Sequence, residues 1–450
     1  MSGVLSALRQ RAVDVKPDEL RALGLAFVFH FIILGSYYVL RPIRDEIGAA
    51  GGLENLSWMF TATLVAMLIA NTLFAAIVTR FSRRRFIPIA YRFFFLNLAL
   101  FFVLMRTLPD AQQIWVGRAF YVWVSVFNLF VVSVFWAFMT DIFNTEQAKR
   151  LFGFIAVGGT LGAIIGSSLT GFLVHRLGTA NLLIISAVLL ECGAWCVRFF
   201  PMEFKGEHAS AFHDEAGNAE RPIGGTLWSG ITHAISSPYL LGICAFMLLH
   251  AVTATLVYFQ QADITAREFT DRAARTAFFA HLDIWVNVLT VVVQMFLTGR
   301  LLKWLGVGLT LAMLPAISFV GFLAIGIMPE LWLLACFQVL RRAMNYALSR
   351  PAREMLFTVL RREDKYKAKS FIDTFVYRAG DQIGAWSYPL LTWLGFGLTG
   401  ISFVAAPLAA VWCALSLWLG QRQNALATNN LGQPSNSVVK SGTKWCPRLN

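Results

Sequence analysis

Arginine, aspartate and amide side chains recur along stretches of sequence that are otherwise apolar, and their spacing places them on single faces of helices. Between residues 331 and 349 the polar positions follow the period of an α-helix and are Gln338, Arg341, Arg342, Asn345 and Ser349. A second such row, between 277 and 299, comprises Asp283, Asn287, Thr290 and Gln294. Arginine can hold a phosphate or carboxylate by two parallel hydrogen bonds, and a nearby aspartate can balance its charge or carry a proton. The two rows therefore predict a site for an anion.

Two further apolar stretches carry polar side chains on one face. Those of the first stretch are His30, Tyr37, Arg41 and Arg44, and those of the eleventh are Thr374, Arg378, Asp381 and Gln382. Pro42 is expected to bend the first helix before its last turn. An ionisable side chain inside a bilayer costs several kcal/mol unless it faces protein or water, so each one is a candidate for a site.

Two interpretations of these charges remain open. In the first, Arg341, Arg342 and Arg378 only hold helices together by pairing with aspartates. The aspartates available for such pairs are Asp283, Asp373 and Asp381. In the second, which we favour for the set as a whole, the polar faces line a water-filled cavity whose basic excess attracts an anion. A neighbouring tyrosine could then stack on a base or ring, and the candidates are Tyr37, Tyr38 and Tyr346.

The motifs of enzymes, cofactor sites and metal sites are missing from the sequence. It contains no Walker lysine motif, no His-Glu pair and no Gly-x-Ser-x-Gly. The glycines of 395–400 match a dinucleotide fingerprint by letter, but no strand precedes them. Of six cysteines, five fall in apolar stretches and one near the C-terminus, which suits neither a disulfide framework nor a zinc site. We therefore expect no enzyme, no cofactor and no metal.

Long apolar stretches fill most of the chain of 450 residues and predict the elements that position these side chains. Hydrophobic residues make up 57% of the chain, and the mean hydropathy is +0.62. The predicted spans are 22–40, 56–79, 86–105, 114–139, 152–174, 181–200, 239–259, 277–299, 306–328, 331–349, 370–394 and 398–419. Because about 20 apolar residues cross a bilayer as a helix, the sequence predicts an all-α integral membrane protein with twelve transmembrane helices.

The distribution of lysine and arginine predicts the orientation. With the N-terminus inside, the inner segments hold 25 of these residues and the outer segments hold 7. Both termini are then cytoplasmic, in a bacterial inner membrane, and Arg41-Pro42 after the first span indicates an uncleaved helix. The formal charge of +13 fits contact with anionic lipid head groups, so we expect the bilayer and not nucleic acid as the partner of this charge.

An internal repeat divides the chain into two halves. Ala148-Lys149 and Ala368-Lys369 recur at a spacing of 220 residues, as do Arg80 and Arg300. We predict six-helix halves at 1–200 and 239–420, a cytoplasmic linker at 201–238 and a disordered tail at 421–450. Two such halves in parallel repeat are the layout of major facilitator transporters. Gly158, Gly162 and Gly166 of the fifth span are interpreted as a helix-packing row.

Four segments carry longer motifs. They are YVLRPIRD at 38–45, FWAF at 135–138 with EQAKR at 146–150, YFQQ at 258–261, and RPAREM at 350–355 with Asp373, Arg378 and Gly380. In order and spacing they resemble the ATP/ADP translocase family of plastids and intracellular bacteria, and more closely its relatives in free-living bacteria. The resemblance covers roughly residues 25 to 420. It implies a twelve-span carrier that exchanges ATP for ADP, or other nucleotides with phosphate or protons, without hydrolysing them.

The resemblance also assigns residues. Arg44 stands where the family has a lysine and keeps its positive charge. Glu146 and Lys149 match the family's Glu-Ala-Lys-Arg run when the alignment is shifted by one residue between them. Arg350 stands where the nucleotide exchangers have aspartate. Asp381 stands where they have a cavity lysine, and this reversal of charge leaves the predicted fold unchanged.

Together these observations predict a monomeric secondary carrier, an antiporter of small organic anions with nucleotide exchange as the favoured activity. The predicted substrate-binding residues are Arg44, Tyr37, Arg341, Arg342, Asn345 and Lys149, and those for charge balance or coupling are Asp283, Asp381, Arg378 and Glu146. One alternative is a proton-coupled carrier of another solute, with Asp283 or Asp381 taking up the proton. The alternative from a different functional class is a membrane receptor or assembly scaffold that keeps the fold but no longer transports a solute. The sequence mark expected for it, a sizeable extramembrane domain, is absent.

Overall fold

The computed structural model describes residues 16–17, 19–78, 83–200, 237–360, 369 and 371–431. In this part of the chain the regular structure is helical throughout, and we number the helices α1 to α12. The first six are α1 Leu20–Ala50, α2 Leu53–Val78, α3 Arg83–Thr107, α4 Asp110–Ile142, α5 Thr145–Leu177 and α6 Thr179–Cys196, with a 3-10 turn at Val197–Phe199. The next three and the last are α7 Pro238–Glu268, α8 Arg272–Phe296, α9 Thr298–Ile327 and α12 Leu398–Leu431.

The two remaining helices, α10 and α11, each contain a π-helical turn. In α10 the turn Asn345–Ser349 joins Leu331–Met344 to Arg350–Leu356. The π-helical turn Ile372–Val376 precedes Tyr377–Trp393 in α11. Such turns are rare and are frequently found at functional sites.

Turn residues with special chemistry separate the helices. Gly52 after α1 and Gly178 after α5 have φ values of +81° and +76°, a left-handed conformation that favours glycine. Asn144 caps α5 reciprocally, because its side chain accepts from the backbone N–H of Gln147 and the Gln147 side chain accepts from the backbone N–H of Asn144.

Ten helices in the described part of the chain are long and apolar enough to cross a membrane. The other two are α10 and α11, which carry several charged side chains and are interrupted by the π-helical turns. The prediction of an all-α multi-pass membrane protein is confirmed, and the helices follow the predicted spans in order. α12 extends to Leu431, beyond the predicted end at 419 and into the predicted tail, because no proline or glycine interrupts 421–431.

The same pairs of helices pack together among the first six helices and among the last six. α1 packs on α5 as α7 packs on α11, and α3 packs on α6 as α9 packs on α12. A Cβ on Gly158 would lie 2.6 Å from the carbonyl oxygen of Phe27, and one on Gly380 would lie 3.0 Å from that of Leu248. The packing role predicted for the glycines of α5 is confirmed. We call α1–α6 and α7–α12 the first and second halves; residues 201–236 of the predicted linker lie outside the described residues.

Glu19 ties the start of α1 to the start of α5. Its buried carboxylate accepts hydrogen bonds from the backbone N–H of Lys16 at 3.0 Å and from the side chains of Gln147 and Arg150, both at 2.9 Å. Burial alone would raise the pKa of Glu19, but these three donors outweigh it and lower the pKa below its ordinary value.

Candidate functional site

A cavity of about 160 Å³ lies where α1, α2, α4 and α11 meet. Three of these helices belong to the first half and α11 belongs to the second, so the cavity lies between the halves. Its lining residues are Tyr37, Arg44, Phe60, Thr63, Leu64, Met67, Ser125, Asn128, Arg378, Asp381 and Gln382. Tyr37, Arg44, Arg378 and Asp381, which were predicted from separate apolar stretches, therefore share one space.

Arg44 is fixed on the α1 side of this cavity by three neighbours. Its Nε donates to the hydroxyl of Ser125 at 3.0 Å, and its Nη1 donates to Oδ1 of Asp45 at 3.1 Å. The guanidinium lies over the ring of Tyr121, with its carbon 4.1 Å from the ring centroid. Since the side chain is 18% exposed and has donors left over, it is positioned to bind an anion from the cavity.

Asp381 lies on the α11 side and is held within the second half. Its Oδ2 pairs with Nη1 of Arg378 at 3.1 Å, and its Oδ1 accepts from the hydroxyl of Thr255 on α7 at 3.4 Å. Arg378 is about one third exposed, whereas Asp381 is buried. Arg378 therefore lines the cavity as a cation that already has a carboxylate partner in its own half. Arg44 is paired with Asp45 in the same way on the α1 side.

Asp283 on α8 connects three helices through two arginines. Its Oδ1 accepts from Nη2 of Arg342 at 2.6 Å and lies 3.4 Å from Nη1 of Arg41. Its Oδ2 is buried and has no hydrogen-bond partner among the described residues. Arg41 is on α1 and Arg342 on α10, so Asp283 joins the first half to the second. For Arg342 and Arg378, the pairing with aspartates expected under the packing interpretation is therefore present.

Arg341 differs from Arg342 in its contacts, although the two are adjacent in the predicted row. It is 5% exposed, and its Nε and Nη2 have no hydrogen-bond partner among the described residues. Gln338, one turn earlier, donates to Gln261 on α7. Asn345 is half-buried in the π-helical turn of α10. The lining of the cavity includes none of these α10 residues. Gln338 contacts α7 and Arg342 contacts α8.

The two halves are joined at the end of the bundle that carries Ala50, which we call the Ala50 end. Both oxygens of Glu46 on α1 are bound there, one by Nε of Arg272 and the other by Nη2 of Arg275, each at 3.0 Å. Close by, the hydroxyl of Tyr258 on α7 donates to Oδ1 of Asp45 at 3.0 Å. Asp45 therefore balances Arg44 and contacts the opposite half at the same time.

A further set of contacts at this end joins α2 to α11. Ser57 donates to the carbonyl of Ala385 at 2.6 Å. The hydroxyl of Thr61 donates to Oε1 of Gln382 at 3.0 Å and accepts from Nε1 of Trp386 at 3.1 Å. Gln382 also lines the cavity, so this residue belongs both to the cavity and to the contact between the halves.

The other predicted residues lie apart from the cavity or outside the description. Glu146 is exposed in the first turn of α5, and the side chain of Lys149 lies outside the described residues. His30 does not line the cavity: its Nδ1 lies 2.9 Å from the carbonyl of Ile155, and its ring stacks on Phe135 at 4.3 Å. It is therefore a packing residue of the first half.

Asp45, Ser125, Asn128 and Tyr258 belong to the site and were absent from the predicted set. The first span was predicted to end at 40, with Arg41 and Arg44 on a last turn beyond Pro42, and Asp45 was not singled out; α1 continues through Pro42 to Ala50. Ser125 and Asn128 are isolated polar residues in an apolar helix, and only their spacing of three positions marks them.

The family model of the Major Facilitator Superfamily matches residues 23–352. ADP,ATP carrier protein 1 of Chlamydia muridarum is 21% identical over 309 residues, which are 60% of this chain and 58% of that protein. The chloroplastic ADP,ATP carrier protein 1 of Arabidopsis thaliana is 20% identical over 310 residues, which are 61% of this chain and 48% of that protein. The chain thus spans about half the length of these curated relatives.

Among solved structures, a crystal structure of a POT family transporter in complex with 5-aminolevulinic acid is similar to this chain. Its TM-score is 0.60 at 12% sequence identity, over 90% of this chain and 96% of that one. At this identity the similarity concerns the fold.

Proposed function

The chain belongs to the Major Facilitator Superfamily, a family of transporters and not of enzymes, and on this premise we propose that it exchanges organic anions, with nucleotides of the ATP/ADP type as the favoured substrates. The observation that carries the proposal is the cavity between the halves, which is lined by Arg44 of α1 and Arg378 of α11. Each has an internal carboxylate partner that a substrate anion can replace. The ADP,ATP carriers among the relatives support the choice of nucleotide.

Each predicted residue has a place in this proposal. Arg44 binds a phosphate oxygen and Tyr37 stacks on the base. Arg342, Asn345 and Lys149 complete the site when the halves rearrange, while Asp283, Asp381, Arg378 and Glu146 balance charge in the empty carrier. Arg341 stays a predicted anion-binding residue, although it does not line this cavity.

Alternating access requires the halves to move against each other. With both termini placed in the cytoplasm of a bacterium, the Ala50 end faces the periplasm and the contacts of Glu46, Asp45 and Thr61 close that side. The present cavity is smaller than the roughly 300–1,000 Å³ typical of sites for drug-sized ligands. A nucleotide therefore needs the halves to separate further on the opposite side, where it would enter from the cytoplasm.

Exchange in vesicles tests the proposal. Purified protein is reconstituted, and uptake of labelled ATP into vesicles preloaded with ADP is compared with uptake into empty vesicles. Preloading should accelerate uptake. Arg44→Ala should weaken binding roughly 10- to 150-fold, since a hydrogen bond to a charged group contributes about 1.5–3 kcal/mol. The exposed Arg300 offers a matched control, because Arg300→Ala removes the same charge away from the cavity. Equal uptake by loaded and empty vesicles, unchanged in Arg44→Ala, would reject nucleotide exchange.

A proton-coupled carrier of another solute is the second candidate. The observation in its favour is Asp381, a buried carboxylate on the cavity wall beside Arg378, at the position where the similar family has lysine. In this case a pH gradient drives uptake of a non-nucleotide solute, and Asp381→Asn abolishes that dependence. An ADP-dependent acceleration that survives Asp381→Asn would decide for exchange.

A further inference from the structure

Arg341 is a buried cation for which the described residues supply no counter-charge. It lies near the middle of α10, a helix of the membrane domain, and is 5% exposed. The groups that act on it electrostatically are Tyr377, Arg342 and Tyr346, none of which is a carboxylate. A charge buried without a partner costs several kcal/mol, and Arg342 next to it shows how such a charge is otherwise satisfied, with Asp283 at 2.6 Å.

The unpaired atoms of Arg341 form one edge of the guanidinium. Its Nε and Nη2 are both buried and both without a hydrogen-bond partner among the described residues. These two N–H groups point in parallel, which is the arrangement that binds two oxygens of a carboxylate or phosphate side by side. The edge therefore has the donor arrangement that an oxyanion requires.

His250 on α7 adds a third unsatisfied atom to the same region. It is 5% exposed, and its Nδ1 has no hydrogen-bond partner among the described residues. Arg341, Arg350 and Arg353 all lie close enough to act on it electrostatically. Its ring centroid lies 6.2 Å from that of Tyr377 on α11 and 5.4 Å from that of Trp412 on α12. Within the described part of the chain, these neighbours of His250 all belong to helices of the second half.

We propose that Arg341, with His250 and the positive field of Arg350 and Arg353, forms a binding site for a small oxyanion inside the second half. The site is separate from the cavity lined by Arg44 and Asp381, and it exists whether or not the chain exchanges nucleotides. Of the nearby arginines, Arg353 already has a carboxylate, Asp373, at 3.7 Å. Arg341 has none, so the oxyanion supplies its counter-charge. The two sources of this chemistry are free inorganic phosphate and the phosphoryl group of a larger solute.

Thermal unfolding of the purified full chain tests the site, with inorganic phosphate and ADP as probes at constant ionic strength. Wild type should be stabilised saturably by phosphate, because a ligand that binds only the folded state raises its stability. Arg341→Met should lose this response. Arg341→Lys keeps the positive charge but not the two parallel N–H groups, so it should bind phosphate at least tenfold more weakly than wild type. Arg300→Met removes an exposed arginine of α9 and should respond as wild type does, which separates specific binding from the general effect of phosphate on proteins.

Two further results follow from the geometry. In phosphate-free buffer Arg341→Met should unfold at or above the temperature of wild type, because it removes a buried charge that has no partner. If ADP stabilises wild type through Arg341 and inorganic phosphate does not, the source is the phosphoryl group of a larger solute. The site is overturned if Arg341→Met and Arg341→Lys show the same dependence on both probes as wild type. An ADP response that is lost in Arg44→Ala and kept in Arg341→Met excludes the phosphoryl group of a larger solute as the source and leaves the proposed exchange intact. The site is then overturned if inorganic phosphate stabilises Arg341→Met as it stabilises wild type.

Discussion

Neutralising Glu46 should weaken the closed arrangement of the Ala50 end. Glu46 is 1% exposed and is the acceptor for both Arg272 and Arg275 of the opposite half. Arg275 is 13% exposed, so its hydrogen bond to the carboxylate contributes about 1.5–3 kcal/mol. Arg272 is 41% exposed, and solvent screening reduces its share to about 0–1 kcal/mol. Glu46→Gln keeps the shape of the side chain and removes its charge. Together these contributions predict a loss of about 1.5–4 kcal/mol, which shifts the ratio of closed to open states roughly 10- to 800-fold.

Distances between spin labels measure this shift. The labels are placed at Glu54 and Thr270, exposed positions of the two halves at the Ala50 end, in a background without the native cysteines. Glu46→Gln should add a population at longer distance. Glu191→Gln is the control, because Glu191 pairs with Arg92 at 3.1 Å inside the first half. If Glu46→Gln and Arg275→Gln both leave the distance distribution of wild type unchanged, the ion pairs do not hold this end closed.

Three other predictions concern packing, pH and topology. Gly162→Leu should prevent normal assembly of α5 on α1, because even a Cβ at Gly162 would overlap the carbonyl of Phe31; thermal unfolding should show a large loss, and wild-type stability would contradict the close contact. Because the folded-state pKa of Glu19 is lowered, its stabilising contribution is complete above its ordinary value of 4.5 and is lost as the pH falls through the lower folded value. Unfolding temperatures of wild type and Glu19→Gln should therefore converge in acid, and a difference independent of pH would argue against the link from Glu19 to Arg150. A reporter that is active only in the periplasm should be inactive when fused at Gly217, and activity there would contradict the predicted orientation.

The helices were predictable because length and apolarity are properties of the sequence alone. The site was predictable only in part. Tyr37, Arg44, Arg378 and Asp381 come together in one cavity, and each stood out as a polar residue in or beside an apolar stretch. Helical phase could not tell whether Arg341 and Arg342 share a space, because neighbours on a helix diverge by about 100° and can face different partners. Arg342 pairs with Asp283 of α8, whereas Nε and Nη2 of Arg341 have no hydrogen-bond partner among the described residues.

The bonds between the halves were not predictable from one sequence. Glu46 contacts Arg272 and Arg275 across more than 220 positions, and Tyr258 contacts Asp45 across 213. Nothing in the local pattern of these residues specifies such partners, since each looks like an ordinary charged or polar residue near the end of a helix. Only the way the halves pack brings them together.

Under the proposed function, Asp45 couples binding to movement. It accepts from Arg44 and also from Tyr258 of the opposite half. An anion that takes Arg44 competes with Asp45 for it, and so alters a contact that helps hold the Ala50 end closed. A ligand shifts an equilibrium only through its different affinity for the two states, and this competition supplies the difference. The partners of Asp381 differ, because Arg378 and Thr255 both lie in the second half with it. If Asp381 stands where the similar nucleotide exchangers have lysine, as the resemblance implies, we expect the difference to change what the cavity binds more than how the halves move.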